Sequence, residues 1–217
     1  MKLHQIFEAA RPKKLVVVYG GRFQPFHKGH YEAYQWLCKK FGAENVWIAT
    51  SNKTNFDPKK GDISPFNFNE KKEIMVSMYD INPRRVILCK NPAFSPTEVF
   101  DLYHDFPIVY VNAVGKKDED RYQSGEFFRP LPRPFEMKNL YELDPLSDKV
   151  GYYIEVPMQV QEISGTIVRK ELMSAKGDER ETAFKKYFGK YSSIIDSLIK
   201  AKLKDVLPDE EESEEKE

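Results

Sequence analysis

An α/β fold, a parallel sheet with helices on both faces, is what this sequence predicts, and three observations carry that prediction. Apolar strand-like runs alternate with segments of helical period along the chain. The first run, Leu15-Val16-Val17-Val18, is β-branched and uninterrupted, the pattern of a buried strand. That run ends at the pair Gly20-Gly21 and leads into a helical segment ending in Lys39-Lys40-Phe41-Gly42, so strand turns to helix where open α/β sheets bind phosphates.

The 217 residues suit one substantial domain with additions, large enough to bury a core without disulfide staples. The 34 basic and 34 acidic side chains balance, which gives no electrostatic case for nucleic acid as the main partner. Cys38 and Cys89 fall in apolar helix and strand patterns, with neither a disulfide framework nor metal-ligand spacing. No apolar run approaches membrane-spanning length, and the N-terminus lacks a signal-peptide core. A cytoplasmic protein without a membrane partner is expected.

In chain order, residues 1–12 form an N-terminal extension with a short amphipathic pattern at Leu3, Ile6 and Phe7. Lys13 and Lys14 lead into the first strand, either as solvated charges or as phosphate contacts. Residues 45–51 read as the second strand, and the polar, lysine-rich stretch 52–62 as an exposed loop. Ser64 to Glu70 introduces a helix with Ile74, Met75 and Met78 on its apolar face and Asn67 or Asn69 as N-cap. A third strand at 85–89, a helix over 97–104, a fourth strand at 107–112 and a fifth at 151–156 follow. Between the last two, 121–147 carries Pro130, Pro132, Pro134 and Pro145 without helical period and reads as an insertion or lid. Ser164 caps a helix reaching to about Lys176, 177–205 supplies C-terminal helices that cover a sheet edge or form a subunit contact, and 206–217 is an acidic tail expected to be disordered. A homo-oligomer is compatible with this plan.

The chemistry concentrates after the first strand. Glycines at 20 and 21 allow positive φ and close approach of backbone N–H groups to an anion. Arg22 can fork onto a phosphate, and the turn through His27 and Gly29 opens a helix whose unbonded N–H groups favour negative charge. His27 and His30, three apart on the first turn, face one side. They can meet one anion, serve as half of a metal site, or be ordinary structural histidines; the missing third ligand disfavours a metal.

Gly-Arg-Phe-Gln-Pro-Phe-His-Lys-Gly-His, residues 21–30, resembles the His-x-Gly-His signature of the nucleotidylyltransferase superfamily, a Rossmann-like fold. Arg22-Phe23-Gln24-Pro25 ahead of it is most similar to archaeal-type nicotinamide-nucleotide adenylyltransferases. Ile163-Ser164-Gly165-Thr166-Ile167-Val168-Arg169 resembles the superfamily's second motif, Ile-Ser-x-Thr-x-x-Arg. Residues 64–71 are similar to an Asn-Pro-Phe-Thr-x-x-Glu-Arg segment of the archaeal type, with Ser64 and Asn67 departing from it and Lys71 in place of Arg. The resemblance implies transfer of AMP from ATP to the phosphate of a small mononucleotide, best matched by nicotinamide mononucleotide giving NAD and pyrophosphate. Within it, His27, His30 and Arg169 are the catalytic candidates. Gly20, Gly21, Arg22, Phe23, Gly29, Gly115, Lys116, Ser164, Gly165 and Thr166 are the nucleotide-binding candidates, and Mg²⁺ accompanies ATP without a dedicated protein site.

Other classes stand beside this. Cytidylyltransferases share the first motif but typically carry Arg-Thr-x-Gly-Ile-Ser before the second, where this chain has Gln161-Glu162-Ile163-Ser164. Class I aminoacyl-tRNA synthetases use a related signature, yet no Lys-Met-Ser-Lys-Ser loop is present. A non-catalytic nucleotide-binding protein is the remaining alternative.

Overall fold

The computed structural model describes residues 12–57, 62–116, 120–123, 127–147, 150–157 and 163–204. Its strands are β1 (Lys14–Gly20), β2 (Val46–Thr50), β3 (Asn55–Asp57), β4 (Asp62–Ser64), β5 (Val86–Leu88), β6 (Ile108–Gly115), β7 (Phe128–Pro130) and β8 (Gly151–Val156). Six of them form one sheet in the order β5–β2–β1–β6–β8–β7, and every pairing within it is parallel. The helices are α1 (Lys28–Phe41), α2 (Phe68–Tyr79), α3 (Thr97–Phe100), α4 (Asp120–Gln123), α5 (Gly165–Ser174), α6 (Gly177–Phe188) and α7 (Ser193–Lys204).

The strand period of two explains the uninterrupted apolar runs. Leu15 and Val17 turn to one face with Val46, Ile48, Val109, Val111 and Ile154, where they meet Leu37 of α1, Ile74 and Met75 of α2, Leu172 of α5, Phe184 of α6 and Ile199 of α7. Val16 and Val18 turn to the other with Trp47, Ala49 and Tyr110, against Val99 of α3 and the partly buried Phe100, Tyr103 and Phe128. Both faces are covered, but unequally. Five full helices lie on the first, while the second is closed by α3, α4 and loop aromatics.

From β1 the chain steps outward through β2 to β5, then returns to lay β6 on the opposite side of β1. The carboxyl ends of β1 and β6 therefore flank the topological switch point, where open α/β sheets leave a crevice.

Several elements differ from expectation. The stretch 52–62 is not all loop: Asn55–Asp57 and Asp62–Ser64 pair as an antiparallel hairpin, with Phe56 opposite Ile63. The helix expected over 97–104 is a single α-turn, Thr97–Phe100, tightened into a 3₁₀ turn at Asp101–Tyr103. The proline-rich segment supplies a sixth strand, β7, which ends at Pro130 and lies at the sheet edge, where a missing N–H is tolerated. As expected, the C-terminal segment is helical, its two helices separated at Gly189, which adopts φ 84°. Lys13 takes no part at the switch point: its ammonium donates to the carbonyls of Tyr141 (2.8 Å) and Leu143 (2.6 Å) at the opposite end of β1. The expectations for 1–11, for Gln161 and Glu162, and for the tail fall outside the described residues.

Candidate active site

The loop between β1 and α1 is held from three directions. Gly20 ends β1 so close to the following strand loop that a Cβ there would lie 2.0 Å from the Pro92 carbonyl oxygen. Gly21 leaves room for the Phe23 ring, 2.8 Å from where its Cβ would be, and donates its N–H to the Ala49 carbonyl (3.0 Å). The glycine pair therefore serves close packing. The positive φ falls instead on Phe23 (48°), a strained conformation for a residue with a side chain. Phe23 is buried, its ring edge-on to Tyr19, Phe26 and His30.

Gln24 is buried and clamps Phe66: its amide donates to the Phe66 carbonyl (2.7 Å) and its side-chain oxygen accepts the Phe66 N–H (2.8 Å). Lys71, on the core-facing side of α2 with Ile74, Met75 and Met78, donates to Thr50 Oγ1 (2.9 Å), the Ser51 carbonyl (2.5 Å) and the Arg22 carbonyl (3.3 Å). Burial lowers its pKa to about 8. Asn67 is the α2 N-cap, in a capping box with Glu70.

His27 is the N-cap of α1, and His30 lies three residues on. Their rings stack 3.7 Å apart at 22°. The His27 backbone N–H donates to His30 Nδ1 (3.3 Å), which places the His30 proton on Nε2 when the ring is neutral. Both rings are held neutral: burial lowers His27 to about 4, and burial together with the neighbouring His27 holds His30 well below its ordinary value. Neither ring nitrogen of His27 has a hydrogen-bond partner among the described residues, and a buried polar group left so calls for a ligand or water.

The second motif arrives at the same place. Gly165 opens α5 against the Gln24 carbonyl, 2.4 Å from where its Cβ would be, and Ile163 reaches the space above Gly29. Arg169 is buried and donates from Nη1 to that same Gln24 carbonyl and from Nη2 to Thr166 Oγ1 (3.3 Å). Ser164 caps α5 by accepting the Ile167 N–H (3.3 Å). Segments 145 residues apart thus close on one carbonyl oxygen.

Electrostatically, two helix N-termini meet here, and neither α1 nor α5 has an acidic residue in its first turn, although α2 and α6 do. No side chain of either first turn offsets their partial positive charges. Gly115 and Lys116 stand exposed at the end of β6, outside the packed cluster, and Arg22 is exposed at its rim. Among the described residues no group of three or more His, Cys, Asp or Glu is placed to hold a metal.

Sequence reasoning assigned no role to Gln24, to Lys71 or to the loop at 91–94. Phe94 of that loop is exposed and stacks on Tyr122, whose hydroxyl donates to the Ala93 carbonyl (2.7 Å) and accepts from Asn112 Nδ2 (2.8 Å). Lys71 did leave a signal, a lysine in register with an apolar helical stripe.

Residues 18–88, from β1 through β5, match a family model described as cytidylyltransferase-like. The α/β, Rossmann-like fold is shared with solved adenylyltransferases. The matched segment includes the first motif, and Ile163 to Arg169 lie beyond it. The Plasmodium falciparum nicotinic acid mononucleotide adenylyltransferase complexed with NaAD superimposes with a TM-score of 0.54 at 17% identity, covering 89% of this chain and 98% of that one. The same protein complexed with APC gives 0.53 at the same identity and coverage. A bifunctional NMN adenylyltransferase/ADP ribose pyrophosphatase from Francisella tularensis, complexed with AMP and an Mn ion, gives 0.50 at 17% identity, covering 93% of this chain and 54% of that one. No curated protein matches the chain by sequence. Among the described residues, no helix is long and apolar enough to cross a membrane.

Proposed function

We propose that this protein is an adenylyltransferase that joins AMP from ATP to the phosphate of a pyridine mononucleotide, with nicotinamide mononucleotide the preferred acceptor. The observation that carries the reading is the convergence of two acid-free helix N-termini on the Gln24 carbonyl, with a neutral histidine pair beside it. A polyphosphate suits that arrangement, because it needs several N–H donors and no competing carboxylate.

In this reading an acceptor phosphate oxygen attacks the α-phosphorus of ATP in line. One P–O bond forms as the bond to the β-phosphate breaks, and pyrophosphate leaves. No residue becomes covalently attached, so the work is positioning and charge stabilisation. His30 Nε2–H donates to an α-phosphate oxygen as charge develops, and His27, its nitrogens unspent, opens from the stack to do the same. The N–H groups of Gly165 and Thr166 receive the β- and γ-phosphates. Arg169 braces the junction and adds positive charge beneath it, a narrower role than the bidentate phosphate contact that the motif alone implies. Gly20, Gly21 and Phe23 shape the loop, while Gly29 leaves space for the His27 ring. Arg22, Gly115 and Lys116 line the rim within reach of a nucleotide, and exposed Phe94 offers an aromatic face to a base. Mg²⁺ would accompany the triphosphate and neutralise charge on the leaving pyrophosphate.

Pyrophosphate release in the presence of Mg²⁺, with ATP or CTP against nicotinamide mononucleotide, nicotinic acid mononucleotide and other phosphorylated acceptors, tests the reading. Release with ATP and a pyridine mononucleotide is expected, lowered about 100- to 1,000-fold in a folded His30→Ala variant. Release with CTP alone moves the protein to the cytidylyltransferases, and nucleotide binding without release makes it a binding protein.

A further inference from the structure

Among the described residues Lys71 is the only buried lysine, with a side chain 0% exposed. Its position is unexpected on energetic grounds. It occupies the stripe of α2 that Ile74, Met75 and Met78 bury, where an apolar side chain would enter the core without losing hydration. Its acceptors are two carbonyls and a hydroxyl, all neutral, so it is not a buried ion pair held for its own attraction. What the ammonium does, and a methionine there would not, is join separate segments. Thr50 and Ser51 lie at the carboxyl end of β2, and Arg22 lies on the loop after β1, five residues before His27.

The same stretch of chain holds that loop a second time. Phe66, five residues before Lys71, receives both arms of the Gln24 amide. Arg22 and Gln24 are thereby fixed to the α2 segment on either side of Phe23, the residue at positive φ. The Gln24 carbonyl between these clamps and α1 is where Gly165 and Arg169 dock. A shift at Arg22 would therefore be carried to the histidine pair and to the seat of α5 together.

We propose that Lys71 is a positioning residue for nucleotidyl transfer, setting the height of the His27–His30 loop by tying the Arg22 carbonyl to the end of β2. This rests on the reading of the site as a nucleotidyl-transfer centre. The test pairs Lys71→Met with Thr50→Val, measuring pyrophosphate release over a range of ATP and acceptor concentrations and thermal unfolding on the same preparations. Lys71→Met should melt close to the wild-type temperature, because relief of a buried ammonium offsets the Ser51 and Arg22 carbonyls and the Thr50 hydroxyl left without their donor. Its kcat should nonetheless fall about 100-fold, the scale of an ångström-sized misplacement, with KM for ATP changed less than about threefold. Thr50→Val, which deletes one acceptor, should show the same split at about tenfold in kcat. A Lys71→Met protein with wild-type kcat overturns the proposal. So does a joint fall of kcat and melting temperature in Lys71→Met with full kcat in Thr50→Val, which assigns Lys71 to stability alone. Wild-type protein that releases no pyrophosphate with any nucleotide overturns the site reading and this role with it, whereas wild-type turnover beside an unimpaired Lys71→Met removes only the role of Lys71.

Discussion

His27→Asn, read against pH, tests whether the stacked pair is held neutral. The His27 ring is 3% exposed, and burial lowers its pKa from 6.5 to about 4. At mildly acidic pH the unfolded chain binds a proton at this position that the folded chain refuses. Stability therefore rises with pH across this window: the contribution is fully present above about 6.5 and is lost as pH falls towards about 4. Each tenfold difference in proton affinity is worth about 1.4 kcal/mol, so the full gap comes to roughly 3 kcal/mol, of which about 2 kcal/mol is gone by pH 5. Asparagine keeps a good N-cap without a group that titrates.

The assay is urea unfolding of both proteins at several pH values from about 8 down to about 5, reading the difference in unfolding free energy. That difference should narrow by about 2 kcal/mol in favour of the variant as pH falls. His30 titrates in both proteins, and since its lowered pKa comes partly from His27, its contribution enlarges the narrowing. Stability curves that stay parallel would mean that the His27 ring is hydrated, or takes up its proton within the fold. Either result refutes the neutral pair.

Two substitutions test the junction. Gln24→Met leaves the buried Phe66 N–H and carbonyl without their partners; thermal and urea unfolding should show a loss of about 2–6 kcal/mol, at roughly 1–3 kcal/mol per stranded group. Gly165→Ala places a methyl 2.4 Å from the Gln24 carbonyl, a backbone atom that cannot swing aside. It should cost about 1–3 kcal/mol in unfolding experiments, and turnover should fall by about 100-fold because α5 must withdraw from the loop that carries the histidines.

The sheet was legible because its strands are buried on both faces, which leaves unbroken runs such as Leu15–Val18 and Ile108–Val111 that little else explains. Legibility failed where burial is partial. Phe128–Pro130 is a three-residue edge strand in a proline-rich stretch, and only its neighbour β8 makes it a strand. The Asn55–Asp57 and Asp62–Ser64 hairpin is likewise too short for period-two alternation to emerge. In the site, His27 and His30 were readable because their spacing on a helical first turn is a local property. Gln24 was not, because its partners are backbone atoms of Phe66 and a guanidinium 145 residues away. One reason for the glycine pair also lay beyond local reading: Pro92 and the Phe23 ring leave no room for a side chain there.

That asymmetry bears on how the site is built. The groups proposed to face the polyphosphate sit on the first turns of α1 and α5, where any strand-to-helix loop could place them. Two such turns act on one polyphosphate only if their separation is fixed. The Gln24 carbonyl fixes it, taking the Arg169 guanidinium while Gly165 admits the backbone of α5 against it. Gln24 is in turn fixed by Phe66, and Arg22 by Lys71, so in the proposed reading the chain leading into α2 would carry the geometry of both helix termini. A side chain in such a frame shows itself by where it is buried and what it spends its hydrogen bonds on. Lysine in a methionine stripe and glutamine with its whole amide committed to one backbone residue are the two places where this sequence gives up easy burial for position.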